Sequence, residues 1–416
     1  MSALWERFTA EPQNLGVTTN PNQTQRGAEV NCLYRFGLPP RLKCANLSAW
    51  PLPIADITVS QNGGVPQRAN ISLHLQQLRL DLDRFMPDKK FSGYALIDKE
   101  DWEPLYCSNW VSAGSRYYNV FSEFLVQQAH PEWNESRVSA EAASQYDRAA
   151  KAFYLTSLAE ARRLRPHARW GYFGQPTAPP GPRASPAHKV SVLAGNQRKG
   201  WLFQAVDFLA PEIYVQQRPE QQQPQNNYTA DLTAGTAMIV SHSIALAEAA
   251  SVATAGAHRP SVMPYGSIIY RDLRPPPPAA VPRPYMVERE GLAATIQVPA
   301  GLGAEGVILW GSGDDTCLCS PDEGCLTPIC PRCGVVEGFL RGRGGQVMEA
   351  CIAQRELCAQ HRCSDHGRCV DKPPGGVETL CLAPPPGVGE DHGAGGSCRC
   401  DVGWSGSDCG SRLYGK

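Results

Sequence analysis

The sequence lacks any surplus of charge. Its 39 basic and 40 acidic residues leave a formal net charge of −1, which excludes the basic footprint of a nucleic-acid binder. It also lacks an unbroken apolar run of membrane length. The longest stretches, such as 244–257, carry polar interruptions, and no transmembrane segment is expected. The first residues, MSALWERFTAEPQNLG, hold no apolar core of a secretory leader. No glycine-rich dinucleotide fingerprint follows any predicted strand, so no cofactor is expected. No histidine is spaced with a serine or cysteine in a way that suggests a nucleophilic triad. Cysteine is nearly absent from the first three quarters of the chain: only Cys32, Cys44 and Cys107 precede residue 317.

The other thirteen of the sixteen cysteines crowd the Gly/Pro-rich tail. Such density reads as a bridge-stapled module from an oxidising compartment. Sequons at Asn22, Asn46, Asn70, Asn134 and Asn227 are glycosylation candidates that fit the same route. The expectation is a secretory-pathway protein, extracellular or lysosomal, whose leader is not in this chain. Cys330-x2-Cys333 has metal-ligand spacing. An oxidising compartment favours bridges instead, and no metal is expected.

Residues 1–60 show no clear periodicity. Leu75, Leu78, Leu82 and Phe85 form a helical stripe over 69–85, with Asn70 or Ser72 as its cap. A long Ala-rich helix is predicted over 138–165 and another over 230–256. Short apolar strands are predicted at 168–173, 203–215, 261–270 and 306–311, with a weaker helical signal at 290–301. Residues 216–228 read as a polar low-complexity loop. Strand and helix alternate through 70–311, which argues for a parallel α/β architecture, with a closed barrel fitting better than an open sheet.

One stretch stands out: FSGYALIDKEDWEP, residues 91–104. The run Tyr94–Ile97 reads as a strand buried on both faces. Continued strand geometry points Asp98 and Glu100 one way and Lys99 the other. Two carboxyls at the carboxyl end of a buried strand suit glycoside hydrolysis. A strand running into a solvated acidic loop explains the same spacing.

The surrounding segments NGGVPQ (62–67), PDKKFSGYALIDKEDWEP (87–104), Asn109-Trp110, LRPHARWGYFGQP (164–176) and GVILWGS (306–312) occur in one order. Together they resemble the hyaluronidases, glycoside hydrolase family 56. The tail, with Cys400-x8-Cys409 enclosing Gly403-Trp404-Ser405-Gly406, resembles an epidermal-growth-factor-like module, as in the vertebrate members. The resemblance implies a distorted TIM-like (β/α) barrel that hydrolyses β-1,4 bonds of hyaluronan, with chondroitin a second substrate. It implies Glu100 as proton donor and Asp98 as the acid orienting the substrate acetamido group, which serves as the nucleophile and gives retention. It implies Tyr265 and Trp310 against the sugar, although by position alone both are core aromatics. It further implies bridges Cys32–Cys317, Cys358–Cys369, Cys363–Cys398 and Cys400–Cys409. The expected organisation is an atypical or truncated segment 1–60, a hydrolase barrel 61–316, an unassigned Cys/Gly-rich linker 317–351 and a module 352–412, in a monomer.

The chain departs from the family at several points. Lys99 replaces an aromatic residue between the two acids, and an unpaired ammonium is expected there, at a cost. Glu103 replaces an arginine. TAPPGPRASP (177–186) stands where a Cys-Tyr-Asn segment is expected, removing a pocket tyrosine. Residues 320–350 do not resemble the family's helix. The first barrel strand is expected to be incomplete, leaving an open seam. The alternative is a catalytically impaired relative that binds hyaluronan or acts in cell-surface interactions.

Overall fold

A computed structural model describes residues 17–18, 20, 27–34, 36–48, 51–109, 115–178, 185–215, 228–268, 287, 289–309, 339, 341–370 and 397–413. The chain divides into two compact units. One comprises Val30–Phe173 and Val190–Asp207; the other comprises Met1–Glu29, Gly174–Lys189 and Phe208–Lys416.

The first unit is built on a parallel three-stranded sheet of β1 (Val30–Leu33), β4 (Tyr94–Ile97) and β5 (Arg169–Tyr172), in the order β1-β4-β5. Cys32 sits opposite Leu96, and Leu96 opposite Gly171. Ala95 and Leu96 on the central strand are fully buried, and Ile97 nearly so, as an apolar run covered on both faces requires. The first strand is therefore formed, with four register pairs to its neighbour. The strand expected to be incomplete is thus present as a four-residue ladder, too short to show periodicity. A hairpin of β2 (Arg41–Cys44) and β3 (Ile57–Gln61) follows it.

Helices flank this unit's sheet and hairpin. In α1 (Ile71–Phe85), Leu78 and Leu82 are buried and Asn70 caps the start by accepting from the Leu73 amide at 3.0 Å. Then come α2 (Arg116–Ala129) and α3 (Glu135–Leu164). Asn134 caps α3 through the Arg137 amide at 2.9 Å. Its buried stripe is Tyr146, Ala150, Phe153, Tyr154, Leu158 and Ala161. Arg165, fully buried at the end of α3, donates to the carbonyls of Leu82, Met86 and Leu164. It thereby satisfies the open carbonyl ends of two helices at once.

The second unit holds two further parallel pairs: β6 (Phe208–Leu209) with β7 (Ser261–Val262), and β8 (Tyr265–Gly266) with β9 (Ile308–Leu309). The strands predicted at 203–215 and 261–270 shrink to these pieces. Phe203 belongs instead to a helical turn, Gly200–Phe203, and Pro211 and Pro264 cannot donate to a ladder. Among the described residues, the parallel strands form separate ladders, and the architecture is mixed α/β. In α4 (Tyr228–Ala253), the segment Leu232–Ala253 is long and apolar enough to cross a membrane by length and composition. Its polar residues are what divide this apolar segment when the sequence is read alone. Its Ile239, Val240, Leu246, Ala247 and Ala250 are buried in this unit. Residues 289–301 are helical, with a π turn at Ala293–Gln297. Pro299 cannot donate to the Thr295 carbonyl, and the widened turn accommodates that loss.

Further along, α5 (Arg343–Arg362) runs across the predicted linker boundary into the cysteine-rich region. There β10 (Gly367–Val370) pairs with β11 (Ser397–Cys400), and β12 (Trp404–Ser405) with β13 (Ser411–Arg412), both antiparallel. Disulfides join Cys358 to Cys369, Cys363 to Cys398 and Cys400 to Cys409. Arg399 donates to the Gly303 carbonyl at 2.5 Å, and Arg259 to that of Cys400 at 2.6 Å. Gly303 has φ +80°, and a Cβ there would lie 3.0 Å from Val370, so the close approach requires glycine. Residues 216–227 and the candidates Cys317, Cys330 and Cys333 lie outside the described residues.

Candidate active site

The carboxyl end of β4 delivers the acids. The strand stops at Ile97, and Asp98 is the first residue of the loop. Two ladder-like bonds tie the chain there: the Asp98 amide donates to Leu33 at 3.2 Å, and the Phe173 amide donates to Ile97 at 3.0 Å. The alternation of a continued strand is therefore not what brings the acids together. The loop does so, placing the half-buried Asp98 in side-chain hydrogen-bond contact with the exposed Glu100. Burial pushes the Asp98 carboxyl up to about 8, aided by the charge and hydrogen bond of Glu100 and by Asp101. The proton is held on Asp98, the more enclosed partner. Two carboxyls in contact cannot both ionise cheaply, so the pair holds one proton between them.

Lys99 turns the other way. Its ammonium lies 3.4 Å from the Trp102 ring centroid and 5.1 Å from that of Tyr154. It donates to the Trp102 carbonyl at 2.6 Å. The ammonium expected to stand unpaired is thus enclosed by two aromatic faces, an arrangement worth about 0.5–2 kcal/mol when desolvated. The residue as a whole is only half-buried, but its charged tip is the enclosed part. That enclosure pulls Lys99 down to about 7, against the raising charges of Asp101 and Glu103 and with the lowering one of Arg41. Trp102 is itself fixed. Its indole N–H donates to Pro40 at 2.9 Å, and Tyr146, Phe153 and Tyr154 meet it edge-on at 5.5–6.1 Å. Glu103 is anchored through its backbone, its amide donating to Asn109 Oδ1 at 2.9 Å and its carbonyl accepting from the Tyr146 hydroxyl at 3.1 Å.

Beneath the loop, His74 on α1 accepts from the Leu38 amide through Nδ1 at 2.9 Å and meets Ser157 Oγ through Nε2 at 2.8 Å. Ser157 in turn donates to the Phe153 carbonyl at 2.6 Å. Burial lowers His74 to about 4, so it is neutral, and the amide bond to Nδ1 leaves the proton on Nε2. This relay braces helix against helix. Tyr154, Trp102 and His74 carry no local signal of their role; their helical spacing or isolation reads as core.

Tyr265 belongs to the other unit. It is buried, its amide donates to Pro211 at 2.8 Å, its carbonyl accepts from Ile213 at 2.9 Å, and its ring meets Tyr214 edge-on at 6.2 Å. Trp310, Cys317, Asn22 and Asn227 lie outside the described residues. Asn46, Asn70 and Asn134 are exposed, and each uses Oδ1 for a local turn or cap. Among the described residues no group of three or more His, Cys, Asp or Glu is placed to hold a metal ion.

The sequence profile of glycoside hydrolase family 56, described as hyaluronidase, matches residues 6–388. The chain belongs to the hyaluronidase family. A hyaluronidase of Polistes annularis is 31% identical over 310 residues, covering 73% of this chain and 75% of that protein. Hyaluronidase-1 of Bos taurus is 31% identical over 421 residues, covering 94% of this chain and 83% of that protein. The solved structure of bee venom hyaluronidase in complex with a hyaluronic acid tetramer superposes with a TM-score of 0.66 at 25% identity, covering 84% of this chain and 96% of that one. The hyaluronidase match begins within the N-terminal segment that sequence patterning left blank, and β1 and the β2–β3 hairpin lie inside it.

Proposed function

We propose that this hyaluronidase-family chain is a glycosidase that hydrolyses β-1,4 bonds of hyaluronan with retention, using the substrate's own acetamido oxygen as nucleophile. The observation that carries the reading is that Asp98 and Glu100 share one loop at the carboxyl end of β4, close enough for Glu100 to push the Asp98 carboxyl up. A retaining pair that uses a carboxylate nucleophile keeps its acids about 5 Å apart, and an inverting pair keeps them further apart still. Carboxyls this strongly coupled do not suit a pair set apart to flank the scissile bond, which favours a nucleophile supplied by the substrate.

The shared proton then has a use. As the acetamido N–H donates to Asp98, the anion is favoured on Asp98 and the proton passes to Glu100. Glu100 gives it to the leaving glycosidic oxygen while the acetamido oxygen attacks the anomeric carbon and the glycosidic bond breaks. The cyclic intermediate is opened by water, whose proton returns to Glu100. Tyr265 and Trp310 are proposed to contact the sugar. The family resemblance supports a distorted barrel fold, an epidermal-growth-factor-like tail, chondroitin as a second substrate and passage through the secretory pathway.

The test is turnover of hyaluronan by the full chain and its Glu100→Gln variant. Removing the acid is expected to lower kcat by about 10²–10⁴-fold with the thermal midpoint little changed, since Glu100 is exposed. A folded wild-type chain that binds hyaluronan without turnover would favour an impaired binding protein instead.

A further inference from the structure

Hyaluronan carries one carboxylate on every second sugar, so a site that grips it gains from a fixed cation. Among the described residues, Lys99 and Arg41 are the two such cations that line the recess beside Asp98. The ammonium of Lys99 is spent on Trp102 and Tyr154. Arg41 is not spent. Its Nε donates to Asp101 Oδ1 at 2.7 Å, while its two terminal amino groups have no hydrogen-bond partner among the described residues. Its side chain is about one-third exposed, at 34%.

The backbone around Arg41 is unusually well fixed. The β2–β3 register slips by one residue at this point: Arg41 pairs with Gln61, but Leu42 pairs with Val59. The extra residue, Ser60, donates back to the Arg41 carbonyl at 3.1 Å. Such a bulge re-aims the side chain beside it. Pro40 is held by the Trp102 indole and the Leu42 amide by the Tyr118 hydroxyl, at 2.9 and 3.2 Å. The result is that Arg41, Asp98, Lys99 and Asp101 are among the residues that line one recess. The recess is open to solvent, so a carboxylate can enter it beside Arg41.

The geometry points to Arg41 as the residue that binds a uronate carboxylate of the polysaccharide and sets its register at the acid pair. Asp101 holds the guanidinium by its Nε edge, leaving the terminal fork for a two-pronged bond to the substrate. This assignment rests on the reading of the chain as a hyaluronan hydrolase, and it adds the means by which that hydrolase recognises an anionic polymer. Arg41 is a binding residue here; it takes no part in the proton transfers.

The test compares hyaluronan with hyaluronan whose carboxylates have been reduced to alcohols, in both kinetics and direct binding by the full chain. Arg41→Gln is expected to raise KM and Kd for hyaluronan by about ten- to a hundredfold, with the loss falling on KM. On the reduced polymer, variant and wild type should coincide. Arg41→Lys, which keeps the charge without the fork, should recover part of the loss. Rising salt should weaken wild-type binding of hyaluronan and leave the reduced polymer unaffected, a readout that needs no variant. Equal affinity of variant and wild type for hyaluronan overturns the assignment. So does an equal penalty on both polymers, which would mark Arg41–Asp101 as a purely structural pair. A wild-type chain that neither binds nor cleaves hyaluronan overturns the parent function instead, and this inference with it.

Discussion

Residues 98–103 and residues 397–413 are both short and irregular, yet they are held by opposite means. The tail is closed by covalent bonds: Cys363–Cys398 spans 35 residues and Cys400–Cys409 spans 9. Beside those bridges, among the described residues, His366 stacks on Trp404 with ring centroids 3.4 Å apart. The acid loop has no bridge. Its shape comes from Lys99 on Trp102 and Tyr154, from the Trp102 indole on Pro40, from Glu103 on Asn109, and from Arg41 on Asp101. A staple restrains the unfolded chain, whereas a packed polar loop must offset burial of every charge it contains. The difference teaches that the tail can be local and cheap in side chains, while the site has to be assembled from four separate parts of the sequence.

The contrast is broken most forcefully at the bridges. Replacing Cys363 and Cys398 by serine is expected to cost the tail about 4 kcal/mol, and replacing Cys400 and Cys409 about 2.5 kcal/mol, following the lengths of the loops they close. Hydrogen exchange over 397–413 should rise sharply in both variants, while turnover of hyaluronan stays within a few-fold of wild type. Equal loss of protection in the acid loop would contradict the separation.

A second effect sharpens the other side. Unfolded, Asp98 releases its proton near 3.8; folded, it holds it to about 8. Between those values the folded state binds more protons, so stability falls as pH rises through the window. Lys99 runs the other way. Its value drops from 10.5 to about 7 on folding, the unfolded state binds more protons between them, and stability rises with pH there. The wild-type thermal midpoint should therefore pass through a minimum near pH 7–8. Asp98→Asn should flatten the falling limb and Lys99→Met the rising one, each measured as midpoint against pH. A midpoint independent of pH in the wild type would refute the burial assigned to both groups.

The same contrast explains what the sequence could disclose. Cysteine spacing is a local signal, and so are the cap at Asn70 and the apolar run ending at Ile97; each is legible in the order of residues alone. The pairing of Asp98 with Glu100 is legible for the wrong reason, since a loop and not a continued strand brings them together. The fate of Lys99 is not legible at all. It depends on Tyr154, far along the chain on another helix, and no pattern around residue 99 names it. Arg41 is invisible in the same way, because a register slip between two short strands aims it. β1 escapes a reading of periodicity because four residues carry too little of it, and it is the β4 partner that defines the strand.

The central claim is that two strongly coupled acids leave the nucleophile's role to the substrate, and the anomeric form of the first product tests it most directly. Proton NMR of hyaluronan oligosaccharides, recorded in the first minutes of hydrolysis before mutarotation, should show newly formed reducing ends as the β anomer. First-formed α anomer would mean direct attack by water on the opposite face, which carboxyls placed as Asp98 and Glu100 are do not provide for.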